Sequence, residues 1–255
     1  MRYLVTLLIL SFVVLSSGCD SDGYSCTSEG CYADDNSPQY LTLDDCLSVC
    51  EEITPKPSDC SSLVSHEGYD YSTVQIGDQC WFAENCRYLP SVSDPSTGNS
   101  GNPFYYVYDY QGTDVESAKA TSNYQAYGVL YNWPAVESEG LCPSGWHIPS
   151  DLEFTQLTDF LGGEDIAGGS MKEPGYDHWS SPNSGATNYS GFNGLPGGDL
   201  VSDVFDLTGY YGYWWSSSES GLHSWARGLG YLDGGVVYRD TFYRNFGFSA
   251  RCVRD

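Results

Sequence analysis

Basic residues are scarce in this chain. Lys and Arg number 10 against 34 Asp and Glu, a formal charge of −24. A surface so acidic repels nucleic acid and anionic headgroups, which argues against a nucleic-acid partner. It suits a salty medium, where screening relieves self-repulsion. Catalytic patterns are missing too. There is no HExxH, no GxSxG, no glycine-rich phosphate loop and no CxxC, and the four histidines (His66, His147, His178, His223) are scattered. No catalytic residue and no metal ligand set is therefore assigned. Beyond the N-terminus no stretch approaches the roughly 18 to 20 apolar residues that a bilayer span needs.

The N-terminus carries the one long apolar run. Met1 and Arg2 give a short basic start, and Tyr3 to Val14 is almost purely apolar. Leu15-Ser16-Ser17-Gly18-Cys19 then resembles a bacterial lipobox. Residues 1–18 read as a lipoprotein signal, to be excluded from fold reasoning. Cys19 becomes the acylated first residue, and two or more acyl chains anchor stably where one does not. The expectation is a body tethered to a membrane outside the cytoplasm, at the outer membrane or cell surface. The acidic stretch after Cys19 resembles the surface-export signal of some outer-membrane lipoproteins.

Aromatics make up 15% of the chain, with 22 Tyr and 7 Trp, so the acidity is not that of a disordered tail. The 10 cysteines read as a disulfide framework in an exported chain. With Cys19 given to lipid, nine remain, so one thiol is left over or the lipid reading fails. Residues 19–53 form an acidic leader and a small cysteine-rich module. Thr42 and Asp45 resemble a capping box, which places Cys46 and Cys50 on one helix face. Their expected partners are Cys26 and Cys31. Residues 54–59, with Pro55 and Pro57, form a linker.

A larger domain spans 60–255. Tyr69 to Ile76 and Cys80 to Ala83 read as strands about a Gly77-Asp78 turn, 91–102 as a loop, and Phe104 to Tyr110 as a strand. Asp114 to Ala120 reads as a helical turn or two. Ser150 and Glu153 form a capping box that starts a helix with Phe154, Leu157 and Leu161 on one face, stopped by Gly162-Gly163. Short strands follow near 213–217, 224–231, 235–240 and 247–253, with Asp233-Gly234-Gly235 as a hairpin turn. Phe248, Ala250 and Cys252 share one face, which places Cys252 in the core. The pattern is α+β: short antiparallel strands, few helices and many loops, behind a small disulfide-rich module.

Six segments in order, TVQIGDQCWFAENCRYLP, YGVLYNWPAV, LCPSGWHIPSD, SGFNGLPGG, YWWSSSES and GFSARCVRD, resemble the Fibrobacter succinogenes major paralogous domain. The family is one of secreted and surface proteins. The domain in turn looks like the C-type lectin-like fold in the variant used by formylglycine-generating enzymes. That resemblance implies a long-range disulfide between Cys142 and Cys252. Cys60 and Cys80 bracket the first strand region and pair in this reading, leaving Cys86 over; Cys80 with Cys86 is the rival pairing. Formylglycine generation needs a late reactive cysteine pair, and no cysteine lies between Cys142 and Cys252, so that activity is not carried over. Sugar-binding C-type lectins use calcium through Glu-Pro-Asn or Gln-Pro-Asp. Here Ser181-Pro182-Asn183 lacks the carboxylate, and Asp199, Asp203 and Asp206 are the remaining candidate oxygens for calcium, which wants six to eight.

His147, within GWHIPS, reads as a structural hydrogen-bonding residue, and Asp151 and Glu153 as helix-capping acids. The candidate ligand-binding residues are Trp225, Arg227, Tyr231, Tyr238, Arg239, Tyr243 and Arg244, in a region that holds five of the ten basic residues. Tyr, Trp and Arg anchor interfaces, and aromatic faces stack on sugars. Trp214 and Trp215 read as core. The functional expectation is a non-catalytic, lectin-like surface lipoprotein binding a glycan or a protein. A structural envelope component is the alternative, and an unrecognised metal-dependent enzyme a third reading.

Overall fold

The computed structural model describes residues 18–19, 31–32, 60 and 62–255. The chain divides into two units, Met1–Asp59 and Cys60–Asp255. In the first, β1 (Gly18–Cys19) pairs in parallel with β2 (Cys31–Tyr32). The signal, the acylation of Cys19, the linker and the pairing of Cys26, Cys31, Cys46 and Cys50 lie outside the described residues and side chains.

The second unit opens with β3 (Val64–His66), β4 (Tyr69–Tyr71), β5 (Thr73–Ile76) and β6 (Gln79–Phe82). The strand expected over 69–76 is thus two strands: β4 turns back on β3, while β5 pairs with β6. Next come β7 (Tyr105–Tyr106), α1 (Val115–Lys119), α2 (Ser122–Tyr127), β8 (Leu130–Tyr131), α3 (Trp133–Val136) and β9 (Trp146–His147). The strand expected over 104–110 shrinks to two residues paired with β8. Then follow α4 (Asp151–Phe160), α5 (Ala167–Met171), β10 (Asp199–Val201) and β11 (Val204–Asp206). β12 (Tyr211–Ser220), β13 (His223–Gly230), β14 (Val237–Tyr243) and β15 (Val253–Arg254) complete the unit. The architecture is α+β, with several small antiparallel sheets and few helices.

Two sheets organise it. One has the order β5-β6-β15-β9, and the other β12-β13-β14. Of the strand expected over 247–253, only Val253 pairs within a sheet; Phe248 and Ser249 make isolated bridges to Tyr131 and Trp214. α4 forms as its sequence dictates. Ser150 Oγ accepts from Glu153 N while Glu153 takes the Ser150 N–H, a complete capping box. Phe154 and Leu157 are buried on its inner face. They join Trp81, Trp179, Phe192 and Trp214 in one core cluster. A second gathers around Tyr131, Trp133, Trp215 and Phe248. Each buried tryptophan removes about 150–250 Å² from water, worth on the order of 4 kcal/mol. Trp81→Ala alone would cost about 3–5 kcal/mol.

Two disulfides close in this unit, Cys60–Cys80 and Cys142–Cys252. Cys86 is a free, buried thiol. Among the described residues no helix is long and apolar enough to cross a membrane.

Candidate functional site

Strand alternation decides what the β12-β13-β14 sheet shows to solvent. The register sets Tyr213 beside Gly228 and Gly228 beside Tyr238, with Tyr211 beside Gly230. Residues two apart share a face, so tyrosines from the outer strands flank a central strand whose same-face positions are Ala226, Gly228 and Gly230. A Cβ at Gly228 would stand 2.9 Å from the Tyr213 ring, and one at Gly230 would stand 3.0 Å from the Tyr211 ring. Glycine is required there because the rings lie across the bare backbone. Tyr211 and Tyr213 stack with centroids 5.9 Å apart, and Tyr238 tilts against Tyr211 at 6.2 Å. The result is a cleft of about 330 Å³ lined by Tyr211, Tyr213, Tyr238, Arg239, Asp240 and Phe242. The Tyr238 hydroxyl donates to Asp233 Oδ2, which orients that ring. Burial raises the Tyr213 and Tyr238 phenols above their ordinary range, so both stay protonated, Tyr238 with its proton given to Asp233. Apolar ring faces beside a few fixed polar groups are the chemistry of a binding cleft.

The seven candidate ligand residues do not form one surface. Trp225, Arg227 and Arg239 alternate onto the opposite face of the sheet. Arg227 is 1% exposed, against the expectation that it meets ligand. Its Nη1 donates to Asp151 Oδ1 at 2.6 Å, and its Nη2 to Asp151 O and Thr155 Oγ1. A buried guanidinium needs such partners, and they turn it toward α4. Arg239 closes on the other Asp151 oxygen at 2.7 Å and lies over Trp225 at 4.5 Å. Burial raises the Asp151 pKa, but the hydrogen bonds from Arg239 and Arg227 outweigh it and hold the carboxyl below its ordinary value. Asp151, expected to be a capping acid, is therefore the counter-ion of two arginines. Tyr231 packs edge-on against Tyr210 and Tyr211. Tyr243 is exposed and its ring tilts against that of His223 at 4.5 Å. Arg244 pairs with Glu219 at 3.2 Å and covers Trp133. Only Tyr238 and Arg239 of the seven border the cleft. Its other walls are Tyr211, Tyr213, Asp240 and Phe242, whose signal in the sequence is the pair of tyrosines at alternate positions facing RGLG.

His147 is fully engaged. Nδ1 meets Asp255 at 2.6 Å and Nε2 meets Glu153 at 2.8 Å. Burial lowers its pKa, and the two carboxylates overcome that and raise it. A general base needs one nitrogen free for substrate; here both serve to tie the sequence near 255 to α4. Asp199 and Asp206 stand opposite each other across the β10–β11 hairpin, but Asp199 is buried while Asp203 and Asp206 are exposed. Asp206 also accepts from Leu207 N. Asp199 and Asp206 make a facing pair, but among the described residues no group of three His, Cys, Asp or Glu converges to hold a metal ion.

The sequence model described as Fibrobacter succinogenes major domain matches residues 74–254. No curated protein and no solved structure matches the chain.

Proposed function

Because the chain belongs to the Fibrobacter succinogenes major domain family, with the tyrosine cleft and both half-cystines of the long bridge inside the matched region, we propose that it is a non-catalytic recognition protein. In this reading the second unit is a lectin-like domain carried at the cell surface by lipid on Cys19, and it binds a glycan or a protein through the tyrosine cleft. One observation carries the reading: Tyr211, Tyr213 and Tyr238 hold their rings over glycines and leave an open aromatic trough. Such rings offer flat apolar faces to a sugar ring, while the tyrosine hydroxyls and Asp240 offer hydrogen bonds to its hydroxyls. Most of the charge is already spent. Arg239 is paired with Asp151, so the trough favours an uncharged ligand over an anion.

The test is a glycan array probed with the full chain, with and without calcium, followed by the Tyr211→Ala/Tyr238→Ala variant. Selective binding that disappears in a variant with an unchanged melting temperature supports the reading. Binding that survives the double change places the ligand elsewhere. A blank array from folded protein removes the glycan and leaves protein partners, to be sought with the same variant as control. Calcium dependence would bring Asp199, Asp203 and Asp206 back as candidate ligands.

A further inference from the structure

Cys86 belongs to neither disulfide and is fully buried. Its Sγ lies 3.5 Å from the Sγ of Cys252, and Cys252 is bonded to Cys142. Three sulfurs thus run in series from the core outward. Cys142, at the outer end, is partly exposed and lines a second cleft of about 330 Å³ together with Trp146, His147 and Ser217. The inner pair is held in place by backbone: Cys86 N donates to Ala250 O at 2.9 Å, and Phe82 N donates to Cys252 O at 3.0 Å. A thiol packed against one sulfur of a disulfide, with the other sulfur facing a cleft, has the proximity and the exit that thiol–disulfide exchange uses.

We propose that Cys86, Cys252 and Cys142 form an internal thiol–disulfide relay, which moves the bond inward and presents Cys142 to the cleft as a reactive thiol. In the step, the Cys86 thiolate attacks Cys252 Sγ. The Sγ86–Sγ252 bond forms as the Sγ252–Sγ142 bond breaks, and the electron pair leaves on Cys142 Sγ. The proton given up by Cys86 ends on Cys142 or in the cleft water. One disulfide and one thiol stand on each side, so no external oxidant or reductant enters. The surroundings favour this direction of departure. Cys142 leaves toward the water of the cleft, where a departing thiolate is solvated, whereas Cys86 is shut in the core. On the attacking side, burial pushes the Cys86 thiol up to about 12, with Arg251 pulling it down and Glu84 raising it. The exchange is therefore slow, and the outer bond persists until Cys142 is captured. The captured species is a small disulfide or soft electrophile that fits the cleft.

Iodoacetamide serves as the probe. The folded full chain is incubated with it, quenched in acid and mapped as unreduced peptides. The expected result is carbamidomethyl on Cys142 growing in step with a Cys86–Cys252 linked peptide. The Cys86→Ser variant should lose that Cys142 label by at least about tenfold, since among the described residues no other free thiol remains to attack. Label on Cys142 at an undiminished rate in this variant would overturn the relay. So would native protein that is labelled on Cys86 itself, or that keeps Cys142–Cys252 unlabelled throughout. If Cys86→Ser fails to fold, Cys142→Ser decides. Exposed to oxidised glutathione, it should form Cys86–Cys252, and persistent thiols at both positions would refute the proposal.

Discussion

Arg227 and Asp151, 76 residues apart, meet at 2.6 Å with the arginine side chain 1% exposed and the aspartate 15%. The pair fastens the central strand of the three-stranded sheet to the first turn of α4. Arg239 grips the second oxygen of the same carboxylate. Removing the carboxylate leaves a buried guanidinium that faces Arg239 with Glu164, at 3.8 Å, as its remaining acidic neighbour. Breaking a buried pair from one side costs about 3 kcal/mol or more. Asp151→Asn should lose about that much in urea unfolding, whereas Glu164→Gln, at a half-exposed contact, should lose under about 1 kcal/mol. Equal losses in the two variants would show that Asp151 is not the principal partner.

His147 gives the unit a weakness toward alkaline pH. Its folded pKa is raised, by Asp255 and Glu153 against the effect of burial. The unfolded value is about 6.5, so the stabilisation is complete below that pH and fades as pH climbs through the folded pKa. The melting-temperature gap between the native protein and His147→Gln should be widest near about pH 6 and narrow toward about pH 9. A gap that does not change with pH would mean that the ring acts through packing alone.

Asp199 works in a different sense. Burial, and then Asp206 across the hairpin, push its carboxyl up to about 7. One of its oxygens has no hydrogen-bond partner. Between about pH 4 and the folded value, the unfolded chain has released a proton that the folded chain keeps, so stability declines as pH rises through that window. Asp199→Asn should therefore be more stable than the native protein at about pH 8, by on the order of 1–3 kcal/mol, and gain nothing near about pH 4. Differential scanning calorimetry at the two pH values separates these cases. A loss at pH 8 would mean that the carboxylate has a stabilising partner.

Gly228 tests the trough without touching a tyrosine. A side chain there runs into the Tyr213 ring. Gly228→Val should fill the floor of the cleft, displace that ring and weaken any ligand captured on the array at least about tenfold, with a stability cost of about 1–3 kcal/mol from overpacking. Undiminished affinity in the folded variant would exclude the trough as the site.

Local chemistry made some of this legible in the sequence. Ser150 and Glu153 announce α4 because a capping box is a contact between near neighbours. Trp214 and Trp215 lie in the core as their setting suggested. Registers between distant strands were not legible, and they decide which side of a sheet a residue serves. Trp225, Arg227 and Arg239 were grouped with Tyr238 by proximity in sequence, yet a period of two sends them to the other face. The helices Ser122–Tyr127 and Ala167–Met171 are too short to show a 3.6-residue period. Arg251 was not legible because its hydrogen bonds go to backbone carbonyls, of Phe82, Phe192 and Asn193, and to Asn85 Oδ1; no sequence pattern announces such partners.

The place of β15 sets a timetable for biosynthesis. Val253 and Arg254 sit between β6 and β9 rather than at a sheet margin, and Cys252 beside them closes the bridge to Cys142. While residues past 250 are still inside the ribosome, β6 and β9 have nothing to join them. The four-stranded sheet therefore stays open until synthesis has passed residue 254. The penalty is a long exposure to proteases and chaperones, and a release that stops a few codons early would leave the four-stranded sheet in two pieces.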